Sequence, residues 1–378
     1  MSYLSQRLSC PKCHPSSIQN SKGSAFERHS GRMSRLLWLL LFLLLIPLTD
    51  TIAQSGGYSG AFTRMGMGPR GMAMGNAMGT VSEEGIFAHY NPALAAYAGQ
   101  RQLDIGTALM SFDRSLNVVN FALPLPPSAG LNIGLLNANV SDIDGRTSSG
   151  YHTDYLSTHE FQLFASFGLN ISTRLKAGVS VKLHLANFHE SVDNATGAGF
   201  DAGIIFQATD SWRIGFAAQD LVSEYSWDTT DLYGAQGGRS RSDPFPDRFR
   251  LGSSYRLNQW NLLLSTEYEI QRQNSEYRTI MITEGQLPPR STTRSEDNVT
   301  THSHLIRFGA SWQAHERFTL RGGWEVMDLD YIRETHRIST GFSVHLPYDF
   351  LSPSVDYAFV REPLGISGMH VLSIRMIL

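Results

Sequence analysis

The most informative feature of this sequence is an alternation of apolar and polar residues that recurs after about residue 100. Between positions 175 and 185 every odd position is apolar, and the even positions carry lysine, glycine, serine or histidine. A helix cannot separate two faces with a period of two, whereas a strand with one apolar and one polar face does so. The same pattern recurs in segments that begin at Glu160, His304, Arg317 and Thr335. We therefore predict an all-β fold.

The alternating segments are joined by links whose lengths also alternate. Fourteen segments begin near residues 102, 115, 130, 158, 173, 198, 211, 247, 259, 302, 316, 335, 350 and 366. Every second link is short, and the longest of the others are polar and cover 139–157, 186–197, 220–246 and 270–301. Short turns at one end and long loops at the other are typical of membrane barrels with an even strand number. We predict a transmembrane antiparallel β-barrel of about 14 strands.

Two groups of residues in the predicted strands suit a barrel. Trp and Tyr near strand ends would form aromatic girdles at the membrane interfaces, although each would equally fit a core: Trp212, Tyr255, Trp260, Tyr268, Trp312 and Tyr348. Basic residues on the polar faces would point into the lumen: Lys176, Lys182, Arg248, Arg250, Arg307, Arg317 and Arg321. They could line a polar path, or they could simply keep the barrel interior hydrated, which is the simpler interpretation.

Residues 65–79, MGMGPRGMAMGNAMG, contain the spacing Gly66-x-Gly68-x-x-Gly71. A dinucleotide-binding turn needs a buried strand before it, a helix after it and an acidic residue about twenty positions on. No such strand or βαβ unit is evident, so we expect no nucleotide and no other cofactor. Small residues allow close backbone approach, and methionine fills irregular apolar space. We predict that residues 54–100, including Gly75, form a plug inside or beneath the barrel.

The first 53 residues have the features of a secretory signal peptide preceded by an extension. Two arginines precede the apolar run Leu36–Leu48, and small residues follow it before Gln54. This order of regions is typical of a signal peptide, and the run is too short to span a membrane as a helix. Met33 is the expected start. We therefore expect export to the outer membrane of a bacterial cell and assign 1–53 to the extension and signal peptide, with the plug following over 54–100 and the barrel over 101–378.

Both cysteines of the chain lie before this signal. Cys10, Cys13 and His14 match the pattern for covalent attachment of c-type haem. A haem site would require this segment to be exported and retained, whereas its position ahead of the signal peptide argues for its removal. We expect a mature protein without haem and without a disulfide bond.

Composition and motifs give no support for catalysis or for nucleic-acid binding. The net charge of -3 provides no electrostatic reason for a nucleic-acid partner. Among 13 histidines, the close pair of His302 and His304 would share one face of a strand, but no third metal ligand is apparent. Nucleophile-elbow, Walker and zinc-protease motifs are absent from the sequence. We predict no metal site, no catalytic residue and no enzymatic activity.

The segment over 61–96, AFTRMGMGPRGMAMGNAMGTVSEEGIFAHYNPALAA, resembles the N-terminal signature of PorV/PorQ-like proteins, a branch of the FadL-type outer-membrane barrels. In that signature a stretch rich in glycine, methionine and alanine precedes an acidic spot and an Asn-Pro-Ala motif, here Asn91, Pro92 and Ala93. The resemblance continues over 199–221, 245–257 and 356–378, and so covers most of the mature chain.

The resemblance implies a fourteen-stranded barrel with a lumenal N-terminal segment, and it implies one of two functions. The favoured function is assistance to type IX protein secretion or surface attachment, with secretion components and secreted cargo as partners. The alternative is FadL-like transport of hydrophobic small molecules, with a hydrophobic ligand or detergent in the lumen. Transport would need an apolar pocket formed by the methionines of 65–79 and a gap in the wall. Either function requires outer-membrane lipid around the barrel.

Overall fold

The alternating segments form one closed antiparallel β-barrel in the computed structural model. The structure describes residues 58–189, 192–230, 240–282, 291–326, 336–348, 351–362 and 368–378. Fourteen of its strands pair in sequence around a circle, and the first strand pairs with the last to close it. The two remaining described strands form a hairpin at the outer end of the wall, which pairs with the sixth strand through Thr196 and Ser226. The predicted signal peptide, its start at Met33 and the cysteine motif lie outside the described residues.

The strands of the wall begin close to the predicted positions. They are β1 Gln102–Met110, β2 Arg114–Leu125, β3 Ala129–Arg146, β4 His152–Asn170, β5 Leu175–Asn187, β6 Ala195–Gln207, β7 Trp212–Leu221, β10 Asp247–Leu257, β11 Leu262–Ile282, β12 Ser291–His315, β13 Phe318–Val326, β14 His336–His345, β15 Ser354–Arg361 and β16 Gly368–Ile377. The outer hairpin consists of β8 Glu224–Asp228 and β9 Ser240–Pro244. The count of fourteen wall strands is confirmed.

Three of the long links differ from the prediction because pairing continues beyond the membrane. The ladder of β3 and β4 extends to the pair Arg146 and His152, and that of β11 and β12 extends to Ile282 and Ser291. The link over 220–246 contains the hairpin of β8 and β9. The sequence in these segments does not alternate with a period of two, so the pattern ended where the strand pairing did not.

The apolar and polar faces of the wall are arranged in the opposite way to those of a soluble protein. In β5 the side chains of Val179 and Leu183 are 57% and 54% exposed, whereas the intervening Lys182 is 0% exposed. The apolar side chains therefore face outward, and the charged side chains face the lumen. No described helix is long or apolar enough to cross a membrane. The outward apolar face is the surface that lipid covers in a membrane barrel.

Most of the predicted girdle aromatics lie at one end of the barrel. Five of them are exposed at or near the short turns: Trp212, Tyr255, Trp260, Trp312 and Tyr348. Tyr268 instead lies higher on β11, where its hydroxyl is 2.7 Å from Nδ1 of His304. The structure thus places one aromatic girdle at the short-turn end, and Tyr268 belongs to a different part of the wall.

Residues 58–98 pack against the inner face of the wall. The segment contains a 3-10 helix, Ala61–Arg64, the short helix α1, Gly68–Ala73, and a second 3-10 helix, Pro92–Tyr97. Near its start the Tyr58 hydroxyl is 3.5 Å from that of Thr301, toward the outer end of β12. Near its end, Ala95 packs on Gly130, beside the first short turn. We call residues 58–100 the plug; where the chain before Tyr58 divides into domains stays a prediction.

Candidate functional site

The Asn-Pro-Ala motif forms the turn by which the plug contacts the wall. The Asn91 side chain caps the second 3-10 helix by accepting a hydrogen bond from the Ala93 amide at 3.0 Å. Its amide nitrogen donates to the Gly79 carbonyl oxygen at 2.9 Å and so joins two parts of the plug. Pro92 occupies the first position of the helix, where its missing N–H costs nothing. The motif is therefore structural, and all three residues are buried.

A continuous row of glycines on the inner wall receives this turn. Gly130, Gly168, Gly178 and Gly203 are direct partners in register on β3, β4, β5 and β6. A Cβ atom at any of the four would overlap plug atoms between Asn91 and Ala96. The plug backbone thus lies against the sheet at a distance that only glycine permits. The sequence shows these glycines singly, but their alignment depends on strand register.

The glycines of the predicted plug motif act through shape. Gly75 adopts φ 60°, and an added Cβ would be 2.9 Å from the Trp324 backbone nitrogen. Gly66 has φ 117°, beside the Asn76 amide. Gly71 lies within α1 against the Tyr90 hydroxyl, and Gly68 begins α1 beside Phe87. The Gly-x-Gly-x-x-Gly spacing therefore serves packing, with only a six-residue helix around it and no strand before it in the described part of the chain, which begins at Tyr58.

A second close approach joins the plug to β12 and β13. Met74 and Gly75 lie on Gly309 and Gly323, which are partners in register. A Cβ at Gly309 would be 2.6 Å from the Met74 carbonyl oxygen, and one at Gly323 would overlap the Gly75 amide. The Gly75 amide also donates to the Ser339 hydroxyl at 3.2 Å. The plug is thus held against opposite parts of the wall.

Charged groups connect the plug to the wall as well. Glu84 accepts a hydrogen bond from Arg321 Nε at 2.7 Å and another from the Ser311 hydroxyl. Arg70 lies 3.0 Å from an Asp356 carboxylate oxygen, with both side chains buried. Removing one partner would leave the other buried charge unpaired, which typically costs about 3–5 kcal/mol.

A third pair, between Glu83 and Arg213, lies close to the short-turn end. The Arg213 guanidinium donates to both Glu83 carboxylate oxygens, at 2.7 and 2.8 Å. Burial by itself raises the pKa of Glu83, but the hydrogen bonds and charge of Arg213 outweigh it and hold that pKa below its ordinary value. Glu83 is therefore ionised and paired at neutral pH.

The predicted lumenal cations are mostly buried in ion pairs. Lys182 contacts Asp201 at 2.7 Å and Asp220 at 2.6 Å. Arg250, Arg307 and their neighbours extend this network around β10 to β14 with carboxylate partners: Glu267, Glu269 and Glu325. Of the seven predicted residues, Arg317 was placed wrongly, because it lies exposed in the turn before β13. Lys176 lies near the short turns, with its ammonium 4.5 Å from the centre of the Tyr97 ring.

The outer half of the lumen has an apolar sector that sequence reasoning missed. Inward-facing apolar side chains on β15, β16 and β1 to β4 belong to one buried cluster: Val360, Met369, Val371, Ala108, Leu116, Val118, Leu136 and Phe164. The interior of a membrane barrel is ordinarily polar. Four plug methionines belong to the same cluster: Met67, Met72, Met74 and Met78. We call these wall residues the apolar sector; the plug methionines fill the space beside it.

The histidine pair singled out in the sequence gives no support for a metal site. His302 is exposed, and His304 is half-buried beside Tyr268. They share the outward face of β12, as predicted, but among the described residues no group of three His, Cys, Asp or Glu could hold a metal ion.

Cysteine labelling tests the position of the plug. Ala77 is 0% exposed, whereas Ser149 is exposed in the loop between β3 and β4. We expect Ala77→Cys to resist a membrane-impermeant maleimide on intact cells and Ser149→Cys to react. Labelling after denaturation serves as the control that both cysteines are present. Rapid labelling at position 77 with protection at 149 would contradict a plugged barrel.

Comparison with known proteins supports the fold. No protein-family model matches the sequence, and a search of curated proteins finds no match. Among solved structures, the Ralstonia pickettii toluene transporter TbuX aligns with a TM-score of 0.54 and 16% identity, covering 84% of this chain and 100% of that chain. The CymD monoaromatic hydrocarbon channel aligns with a TM-score of 0.56 and 13% identity, over 83% and 98% of the two chains.

A Pseudomonas aeruginosa FadL homologue aligns with a TM-score of 0.54 and 13% identity, covering 82% of this chain and 97% of that chain. At these identities the similarity establishes the fold. The closed barrel, its apolar outer face and this architecture make the chain a bacterial outer-membrane β-barrel. The PorV/PorQ branch indicated by the sequence resemblance is a finer assignment, and nothing in these alignments distinguishes it.

Proposed function

We propose that this barrel carries small hydrophobic molecules across the outer membrane. The observation that carries the proposal is the apolar sector. It places apolar side chains on the inner wall of a lumen that also contains many buried ion pairs. A water-filled pore for polar solutes gains nothing from such a surface. A hydrophobic solute that leaves water gains about 25 cal/mol for each Å² of apolar area it buries.

The plug methionines suit the same purpose. Methionine side chains are flexible and polarisable, so they can fill an apolar space and yield it to ligands of different shapes. The transport alternative called for an apolar pocket formed by these residues, and the structure contains a filled apolar volume at that place. A route past the plug then requires movement of the plug, because the strands of the wall pair around the whole circle.

The fold comparisons support the same function class. The proteins that align with this chain over most of its length are described as a toluene transporter and a monoaromatic hydrocarbon channel. We infer a substrate that is small and mainly apolar, and a protein that transports without catalysing a reaction.

A PorV-like role in secretion is the second candidate, and the sequence resemblance of 61–96 favours it. The long hairpin of β11 and β12, whose pairing reaches Ile282 and Ser291, offers a surface outside the membrane that a protein partner could contact. This role does not explain the apolar sector, which faces the lumen and not the hairpin. For that reason we rank transport first.

A deletion strain separates the two functions. We expect loss of the gene to abolish most uptake of a radiolabelled monoaromatic or long-chain hydrocarbon, and expression of the wild-type barrel to restore it. Surface display of cargo that carries type IX sorting domains is expected to remain intact. Normal hydrocarbon uptake with lost cargo display would reverse the ranking.

A further inference from the structure

A groove of about 510 Å³ lies on the outer wall between β4 and β5. Except for Leu156, its residues on β4 and β5 lie at odd positions, among them His159, Phe161 and Leu185. The neighbouring even positions face the lumen, where Gln162 is buried and the Glu160 carboxylate accepts a hydrogen bond from the Tyr225 hydroxyl. The groove therefore opens away from the lumen, toward the surrounding membrane and its surface. It is distinct from the apolar sector.

The lining of the groove combines aromatic rings with neutral polar groups. Phe161 and Phe188 contribute rings, and Tyr155 adds a third. His159 and Asn187 contribute hydrogen-bonding groups, with the Asn187 amide nitrogen donating to the Asn194 side-chain oxygen at 2.9 Å. Among the described residues that line it there is no lysine, arginine, aspartate or glutamate. These residues therefore offer no basic side chain to a phosphate or other anionic group.

A ladder of outward polar side chains leads to the groove. The Thr107 hydroxyl donates to the Asn117 side-chain oxygen at 2.8 Å. The Asn117 side-chain nitrogen donates in turn to the Asn137 side-chain oxygen at 3.3 Å. Asn137 is the register partner of Phe161, and Phe161 is the partner of Leu185. On β5 the apolar positions 179, 181, 183 and 185 continue from the groove toward the short turns. The groove thus marks the border between the apolar belt and a polar zone.

We propose that this groove binds the saccharide head of a glycolipid in the outer leaflet. Aromatic rings pack against the apolar faces of sugar rings, while amide and imidazole groups exchange hydrogen bonds with hydroxyls. The volume falls in the range of small-ligand sites, roughly 300–1,000 Å³. The position at the upper edge of the belt lets the acyl chains of the same molecule remain in the membrane beside Leu183 and Leu185. This site is independent of the transport proposal.

Native mass spectrometry of the purified barrel tests the site with three probes. These are an acylated, phosphate-free glucosamine disaccharide, phosphatidylethanolamine with the same acyl chains, and the free disaccharide. We expect the wild-type barrel to retain the glycolipid and the double variant His159→Ala/Asn187→Ala to bind it about tenfold more weakly. Phosphatidylethanolamine is expected to bind weakly and equally to both proteins, and the free disaccharide not to bind at the same concentration.

Controls keep the proposal falsifiable. His370→Ala removes an exposed histidine from β16, on a different part of the wall, and is expected to bind the glycolipid like wild type. If the double variant fails to give a heat-shifted folded band in detergent, Phe161→Leu replaces it and should weaken glycolipid binding alone. Equal retention of phosphatidylethanolamine, tight binding of the free disaccharide, or unchanged glycolipid binding in the folded variants would each overturn the proposal.

Discussion

Replacing Gly323 with alanine is expected to loosen the plug, whereas the same change at the adjacent Gly322 is expected to have little effect. Gly323 faces the lumen, and a Cβ there would overlap the Gly75 amide and come close to the Met74 backbone. Neither plug residue can yield by rotating a side chain, because the contact is with backbone. A Cβ at Gly322 has no heavy atom within 4 Å.

Overpacking of this kind typically costs about 1–3 kcal/mol, whereas an unhindered Gly→Ala change is neutral or slightly stabilising. The measurement is the temperature at which the folded band in detergent converts to the unfolded band, together with maleimide labelling of Ala77→Cys in each background. Gly323→Ala should lower that temperature and expose position 77. Equal behaviour of the two alanine variants would show that the close approach of plug and wall does not matter.

Only one of two polarity changes at a pair of register partners is expected to lower hydrocarbon uptake. Leu136 belongs to the apolar sector, and its partner on β4 is Gln162. Both side chains are 0% exposed, and neither polar atom of Gln162 has a hydrogen-bond partner in the described structure. Leu136→Gln places a second amide beside the proposed route of a hydrophobic solute, and Gln162→Leu removes the existing one.

A buried amide without a partner costs about 1–3 kcal/mol, and a barrier raised by about 1.4 kcal/mol slows passage tenfold. We therefore expect Leu136→Gln to lower hydrocarbon uptake about tenfold and Gln162→Leu to leave it unchanged or increase it. Uptake is measured in the deletion strain at matched levels of folded barrel. A decrease in both variants would indicate damage to the barrel, and no change in either would remove the apolar sector from the route.

The wall was predictable from sequence because a strand between lipid and lumen must alternate with a period of two. Val179 to Leu185 shows this alternation without any tertiary information. The extension of the β11–β12 ladder to Ile282 and Ser291 was not predictable, because the sequence there does not alternate with a period of two. Arg317 was placed in the lumen by the same pattern, but β13 begins only at Phe318.

The lumenal site was predictable only in part. Glycine and methionine over 65–79 indicated a plug because they are poor choices for a lipid-facing strand. The glycine row and the apolar sector arise from strands far apart in sequence, and they become visible only when register aligns Gly130 with Gly168 or places Val118 beside Leu136. Ion pairs such as that of Glu84 with Arg321 depend on the path of the plug through the barrel. The plug sequence has no periodic pattern from which that path could be predicted.

Locking the plug to the wall tests most directly whether hydrophobic molecules pass through the lumen. The Ser265 hydroxyl donates to the Ala77 carbonyl oxygen at 2.5 Å, so these two residues are neighbours across the contact between plug and wall, and cysteines there are tested for disulfide formation with an oxidant. In the variant Ala77→Cys/Ser265→Cys we expect hydrocarbon uptake to fall to the level of the deletion strain after oxidation and to recover after reduction. Each single variant should be insensitive to oxidant. Full uptake through a barrel whose disulfide is shown to have formed would contradict transport past a moving plug.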